Sequence, residues 1–167
     1  MAAWAGDGFE RWYRAEHGRL VASLTVACGD VDLAHDVVSD AFAKAYERWE
    51  RVRIMDSPTG WVRQVAVNGM RRRLRRAALE RRLLGARPPG TPAGSPSPAL
   101  EPELWAAVRA LPDRQRAVVG LRVVLDLPQS EVARLLGVRP GTVSATLVAA
   151  RARLARALAA TAEDHHG

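Results

Sequence analysis

Apolar residues in the first third of the chain recur at helical intervals. Phe9, Trp12, Tyr13, Leu20, Leu24 and Ala27 fall at roughly that spacing, and Cys28-Gly29-Asp30 ends the segment. A second helix is expected from Asp30 or Asp32. Its apolar stripe is Val37, Val38, Ala41, Phe42, Ala45 and Trp49, with Asp36, Ser39, Asp40 and Glu47 on the opposite side. On periodicity alone, that opposite side reads as a solvated acidic face. A break at Met55-Asp56-Ser57-Pro58 precedes a third helix from about Thr59, in which Trp61, Val62, Val65, Ala66, Met70 and Leu74 are available for packing. No strand-like alternation competes with these helices.

The pattern then stops. Gly85 to Leu100, GARPPGTPAGSPSPAL, has turn and linker composition with no apolar period. Its prolines favour an extended tether of ~3 Å per residue, long enough to separate two bodies by up to roughly 50 Å. Beyond it, Pro102 can open a helix to Ala110 and Pro112 another to about Leu125, because proline is best tolerated in a first turn. Two more helices follow. PQSEVARLLGVRPGTVSATL places Ala133, Gly137 and Val143 at the relative spacing of a helix-turn-helix. The small residue permits close helix crossing, the glycine takes a positive-φ turn and the branched residue anchors the second helix. Leu136, Val138, Leu147, Ala150 and Leu154 complete the packing set. The reading is all-α: an N-terminal helical domain over 1–84, a linker over 85–100, a helix-turn-helix domain over 101–160 and a polar tail over 161–167.

Composition adds a partner class to this architecture. The 167 residues are 48% apolar, ample for helical cores, and Lys+Arg 25 against Asp+Glu 18 gives a formal charge of +7. Polyanions are the natural partners, nucleic acid ahead of an anionic membrane surface. Lys44 is the single lysine, so nearly all the positive charge is arginine, whose planar fork suits phosphates and guanine edges. Coding bias in a GC-rich genome gives the same enrichment. Position is more telling than number: Arg63, Arg71, Arg72, Arg73, Arg75, Arg76, Arg81, Arg82 and Arg87 are opposed only by Glu80. From 71 to 76 they wrap much of the helix, and their mutual repulsion is relieved when an anion sits nearby. A helix end favoured by its macrodipole is the plainer account of the same residues.

Other chemistries find little support. Cys28 is alone, so neither an internal disulfide nor a cysteine-based zinc framework is available, which suits a reducing cytoplasm. His17, His35, His165 and His166 form no metal-ligand pattern, so neither a cofactor nor catalysis is expected. No apolar run approaches the ~18 residues of a membrane span, and MAAWAGDGFERWYR lacks the order of a signal peptide. A cytoplasmic protein without membrane insertion is expected.

Three strings, AHDVVSDAFAKAY at 34–46, GWVRQVAVNGMRRRLRR at 60–76 and LPDRQRAVVGLRVVLDLPQSEVARLLGVRPGTV at 111–143, resemble the extracytoplasmic-function (ECF) sigma factors of bacteria. The resemblance implies an N-terminal domain that docks on the clamp of the largest subunit of core RNA polymerase and melts the minus-ten promoter element. It further implies a C-terminal domain that rests on the flap of the second-largest subunit and meets the minus-thirty-five element. An anti-sigma factor is a further implied partner. By position, Asp36, Ser39 and Asp40 are similar to the clamp-facing residues. The loop from Arg53 through Asp56 to Pro58 resembles the one that receives a flipped base. Trp61 is a stacking candidate, and Asn68, Arg71, Arg72, Arg75 and Arg76 resemble the promoter-facing helix. Arg139, Thr142, Ser144, Thr146 and Arg151 fall on the minus-thirty-five side. Ser39, Asp40 and Arg72 depart from the family's common Gln, Glu and Asp. Ser144, Thr146, Val148 and Ala149 replace basic or long polar residues, so phosphate contacts are expected to outweigh base readout there. A free-standing helix-turn-helix regulator, dimeric on two half-sites, is the alternative, and it gives the N-terminal domain no role.

Overall fold

A computed structural model describes residues 3–85 and 100–164, and among these every regular element is helical. Helix α1 (Ala3–Cys28) ends at Gly29, whose φ of 70° turns the chain, and Asp30 caps α2 (Val31–Glu47) by accepting the Leu33 N–H at 3.0 Å. The short α3 (Trp49–Val52) follows at once. Ser57 then caps α4 (Pro58–Leu83), its Oγ accepting the Gly60 N–H at 3.0 Å, with proline in the first turn. Ser57→Ala is expected to cost about 1 kcal/mol, read as a lower urea midpoint at unchanged m-value.

Of the residues its periodicity nominated, the N-terminal domain buries Leu20, Leu24, Val37, Val38, Ala41, Phe42, Val62, Ala66 and Met70, and leaves Trp61, Val65 and Leu74 partly buried; Val67, which the pattern did not nominate, is buried too. At one end an aromatic cluster closes the bundle: Trp12 stacks on Trp49 at 5.2 Å, Phe42 packs on Trp12 at 5.0 Å, and Trp12 Nε1 donates to Thr59 Oγ1 at 3.0 Å. His17 lies beside Tyr13 and Phe42 in the same wall, and burial first, then the charge of His35, lowers its pKa. The neutral ring therefore adds stability that is full above the ordinary value of 6.5 and fades as pH falls through the lowered value. Cys28 is buried, which pushes its thiol up to about 11 and keeps it protonated.

The C-terminal domain comprises α5 (Pro102–Arg109), α6 (Asp113–Val119), α7 (Gln129–Leu136) and α8 (Pro140–Asp164). From α6 the chain passes directly into one π-helical stretch, Gly120–Val124, rather than continuing as the single α-helix expected up to Leu125. Arg116 ties the corner before it, donating to the carbonyls of Arg109 and Leu111 at 2.9 Å each and pairing with Asp113. The helix-turn-helix is formed as expected: Ala133 and Val143 are buried, and Gly137 holds φ 66° at the turn. Helix α8 continues through Asp164, so the first residues of the expected polar tail are helical.

Nearly all of the expected linker lies outside the described residues, as do His165 and His166. What the linker reading did not foresee is that the two domains pack together. Leu20, Leu24 and Ala27 of α1 share one continuous core with Ala117, Val118, Leu121 and Leu125 of the C-terminal domain. A second cluster joins Val26 to Trp105, Val108, Leu111, Val119 and Ala150. One stripe of α1 faces α2 and α4, and another faces α6 and the π-helical stretch.

Candidate nucleic-acid and polymerase interface

Helices α2 and α4 pack side by side and place an acidic and a basic surface along a common edge. Asp36, Ser39 and Asp40 are exposed on α2. Arg73, reaching across from α4, donates to Asp36 at 3.2 Å and to Asp40 at 2.6 Å. One guanidinium thus holds both carboxylates, and the solvated acidic face has a fixed cation at its border. A cleft of about 320 Å³ runs along this seam, lined by Asp40, Lys44, Gly69, Arg72, Arg73 and Arg76 among others.

The arginines of α4 are not equivalent. Arg72, Arg75 and Arg76 are exposed; Arg76 pairs with Glu80 at 2.9 Å, whereas Arg72 and Arg75 pair with no acid among the described residues. Arg71 is half-buried beside Leu74, Leu136 and Val138 in a cleft of about 150 Å³. Asn68 is exposed and accepts from Gln64 at 3.1 Å. The charge remaining free toward solvent is a narrower strip than the sequence count suggests, and it suits a polyanion that tracks the helix.

The loop from Arg53 to Ser57 joins α3 to α4, with Arg53 and Asp56 exposed and Arg53 paired to Glu50 at 2.6 Å. Trp61 is half-buried against the core, so only part of its ring is free to stack. In the second domain Arg139, Ser144 and Arg151 are exposed, while Thr142 and Thr146 are half-buried. The Arg139 carbonyl accepts the N–H groups of Thr142 and Val143, which fixes the start of α8 and leaves the guanidinium outside. The minus-ten and minus-thirty-five candidates therefore form two separate sets on two domains, not one contiguous site.

Two residues that sequence reasoning treated only as members of the basic run have distinct roles in the geometry. Arg73 is the bridge to α2, a placement readable from its spacing of three and seven after Met70 and Ala66, on the packed side of α4. Arg63 is largely buried between Glu16 at 3.7 Å and Glu131 at 3.2 Å. No local pattern announces that pairing, because its acids lie in α1 and α7.

Among the described residues no three His, Cys, Asp or Glu side chains group as a metal site, and no helix is long and apolar enough to cross a membrane. The chain matches known proteins along most of its length. Residues 12–80 fit the family described as Sigma-70 region 2, and residues 102–154 fit Sigma-70, region 4. The chain is 30% identical over 164 residues to the ECF RNA polymerase sigma factor SigM of Mycobacterium tuberculosis, covering 92% of this chain and 80% of that one. It is also 30% identical over 154 residues to the RNA polymerase sigma-E factor of Streptomyces coelicolor, covering 91% and 86%. In fold it is similar to the sigma factor RpoE of Bartonella quintana, solved with the anti-sigma factor NepR, at TM-score 0.76, 19% identity and coverage of 90% and 96%. CnrH, solved with the cytosolic domain of CnrY, is similar at TM-score 0.60 and 24% identity, with 95% of each chain covered. With both regions present in order and SigM-level identity across nearly its whole length, this chain belongs to the ECF sigma factors of RNA polymerase.

Proposed function

We propose that the chain directs core RNA polymerase to promoters and helps to melt them, acting in the cytoplasm by binding rather than by catalysing a reaction. The acidic face of α2, Asp36, Ser39 and Asp40, docks on the clamp of the largest subunit. The loop containing Arg53 and Asp56 receives a base flipped from the minus-ten element, at a cost of a few kcal/mol of unstacking. Asn68, Arg71, Arg72, Arg75 and Arg76, with the free edge of Trp61, hold the displaced strand through phosphate contacts that offset that cost. The C-terminal domain rests on the flap and offers Arg139, Thr142, Ser144, Thr146 and Arg151 to the minus-thirty-five element. The observation that carries this reading is the common edge of α2 and α4, where an acidic surface lies against a basic one. The relatives solved with anti-sigma factors support a protein inhibitor of the same kind here. A free-standing helix-turn-helix regulator is disfavoured, since it leaves the whole α2–α4 surface without a task.

The test is initiation by core polymerase plus this chain from a promoter library randomised over the minus-thirty-five element. Arg139 stands exposed at the start of α8, and Ser144 offers only a short hydroxyl beside it. Arg139→Ala is therefore expected to lower initiation nearly uniformly across the library, as loss of a phosphate contact does. A preference confined to one base pair in the wild type and lost in the variant would identify a guanine contact instead, worth about 1–3 kcal/mol.

A further inference from the structure

The cleft along the α2–α4 seam is more than a border between two surfaces. Its volume of about 320 Å³ falls at the small end of the range of ligand pockets, and both of its walls carry positive charge. Lys44 stands on the α2 wall and Arg72, Arg73 and Arg76 on the α4 wall, against one carboxylate, that of Asp40. Arg73 is engaged by Asp36 and Asp40, and Arg76 by Glu80. Lys44 and Arg72 pair with no acid among the described residues, so uncompensated charge lines the cleft from both sides. An anion between the walls relieves their repulsion.

The floor between these cations is apolar. Val37 and Ala41 are buried there, and Val65 and Gly69 complete it from α4. Gly69 lies inside α4 without a positive φ, a place where glycine destabilises a helix relative to alanine. Packing does not require it: a Cβ there would meet Val37 carbons at 3.7 and 3.8 Å and Arg72 Nη2 at 4.0 Å, ordinary contact distances. The bare glycine keeps open the space between the two walls.

These features fit a compact anion better than a nucleic-acid strand. A strand following the exposed strip of α4 presents one charge per ~3.4 Å and meets Arg72, Arg75 and Arg76 without need of Lys44, across the seam on α2. Lys44 belongs to neither of the two surfaces assigned above. A di- or triphosphate chain concentrates its charge within one such cleft, where the lysine acts on it as a point charge and the arginines as hydrogen-bonding forks. It also competes for Arg73, whose pairs with Asp36 and Asp40 are exposed and therefore weak.

We propose that the α2–α4 cleft is a binding site for a di- or triphosphate group held by Lys44, Arg72 and Arg76, and that occupancy draws Arg73 away from Asp36 and Asp40. The phosphate chain is either inorganic or carried by a nucleotide whose sugar rests on the apolar floor. The site goes beyond the promoter function proposed above and does not depend on it.

Calorimetric titration of the full chain with inorganic tripolyphosphate, without divalent cations and at constant ionic strength, tests the site. One saturable site per chain is expected. Lys44→Ala should weaken it at least fivefold, whereas Arg156→Ala, the same charge change at an exposed position of α8, should weaken it less than twofold. Gly69→Leu, which fills the floor, should weaken it at least tenfold; Lys44→Ala, at an exposed position, decides the matter if that variant does not fold. Asp40→Asn should tighten binding at least threefold by releasing Arg73, against less than twofold for Glu103→Gln in the other domain. Repeating the titration with ATP separates the two sources: tighter binding than tripolyphosphate identifies a nucleotide, and equal or weaker binding identifies the bare phosphate chain. Absence of saturable binding, several equivalent sites per chain, equal losses from Lys44→Ala and Arg156→Ala, or a folded Gly69→Leu that binds like the wild type overturns the site. Asp40→Asn matching Glu103→Gln overturns the competition for Arg73. Neither polymerase nor promoter enters the titration, so a failure of the chain to initiate transcription would refute the proposed function and leave this result standing.

Discussion

Replacing Arg71, Arg72, Arg75 and Arg76 together by alanine is expected to reduce open-complex formation on the order of 100-fold, about 2.8 kcal/mol at 1.4 kcal/mol per tenfold. Each phosphate contact removed should also lower the salt slope of promoter binding by about 0.7 for single-stranded or 0.9 for duplex DNA, so four contacts lower it by roughly 3 to 4. The fold should tolerate the change, because Arg72 and Arg75 have no acid partner to lose and their mutual repulsion is relieved. Association with core polymerase should fall less than opening does. Permanganate reactivity of promoter thymines is the direct measurement, and wild-type reactivity in the variant would refute the placement of the melted strand on α4.

Asp36→Arg with Asp40→Arg is expected to weaken association with core polymerase at least tenfold, by reversing the charge of the face proposed to dock on the clamp. The structure supplies the necessary control. Both acids are paired to Arg73, so the double reversal also places three guanidinium groups together. These pairs are well exposed, with side-chain exposures of 66% and 59% for the acids, and such pairs contribute ~0–1 kcal/mol each. Arg73→Ala removes the same pairs while leaving the acidic face intact. It should match the double reversal in stability loss to within about 1 kcal/mol and yet retain core association. Fluorescence anisotropy against labelled core separates the cases; equal retention by the double reversal would place the docking face elsewhere.

Much of this architecture was legible in the sequence because helix ends are local chemistry. Asp30, Ser57, Pro102, Pro112 and Gly137 each mark a boundary through capping, fixed φ or positive φ, and the structure uses them so. The apolar stripe of α2 was equally plain, except that Trp49 proved to open α3, after the break at Arg48. Asp36, Ser39 and Asp40 of α2 and Asn68, Arg72, Arg75 and Arg76 of α4 are exposed and Trp61 and Arg71 half-buried, but most differences among the arginines were not readable. Arg73 is betrayed by its spacing on the packed side of α4, but Arg63 and Arg71 look like Arg72 in the sequence, and a partner 68 residues away sets Arg63 apart. The joined core was not readable either, because the residues that meet at Gly120 lie on α1, nearly a hundred positions earlier.

Because α1 walls both domains, its sequence answers to two neighbours at once. Leu20 and Leu24 fill space for the N-terminal bundle, while Ser23 and Ala27 must stay small for a backbone that belongs to the other domain. The two halves are therefore not freely interchangeable among relatives, even though each has its own helices. A C-terminal half borrowed from a relative with a larger residue at the position of Gly120 would meet an α1 with no space for it. Inheritance should thus act on the pair, with change at 23 or 27 answered by change at 120.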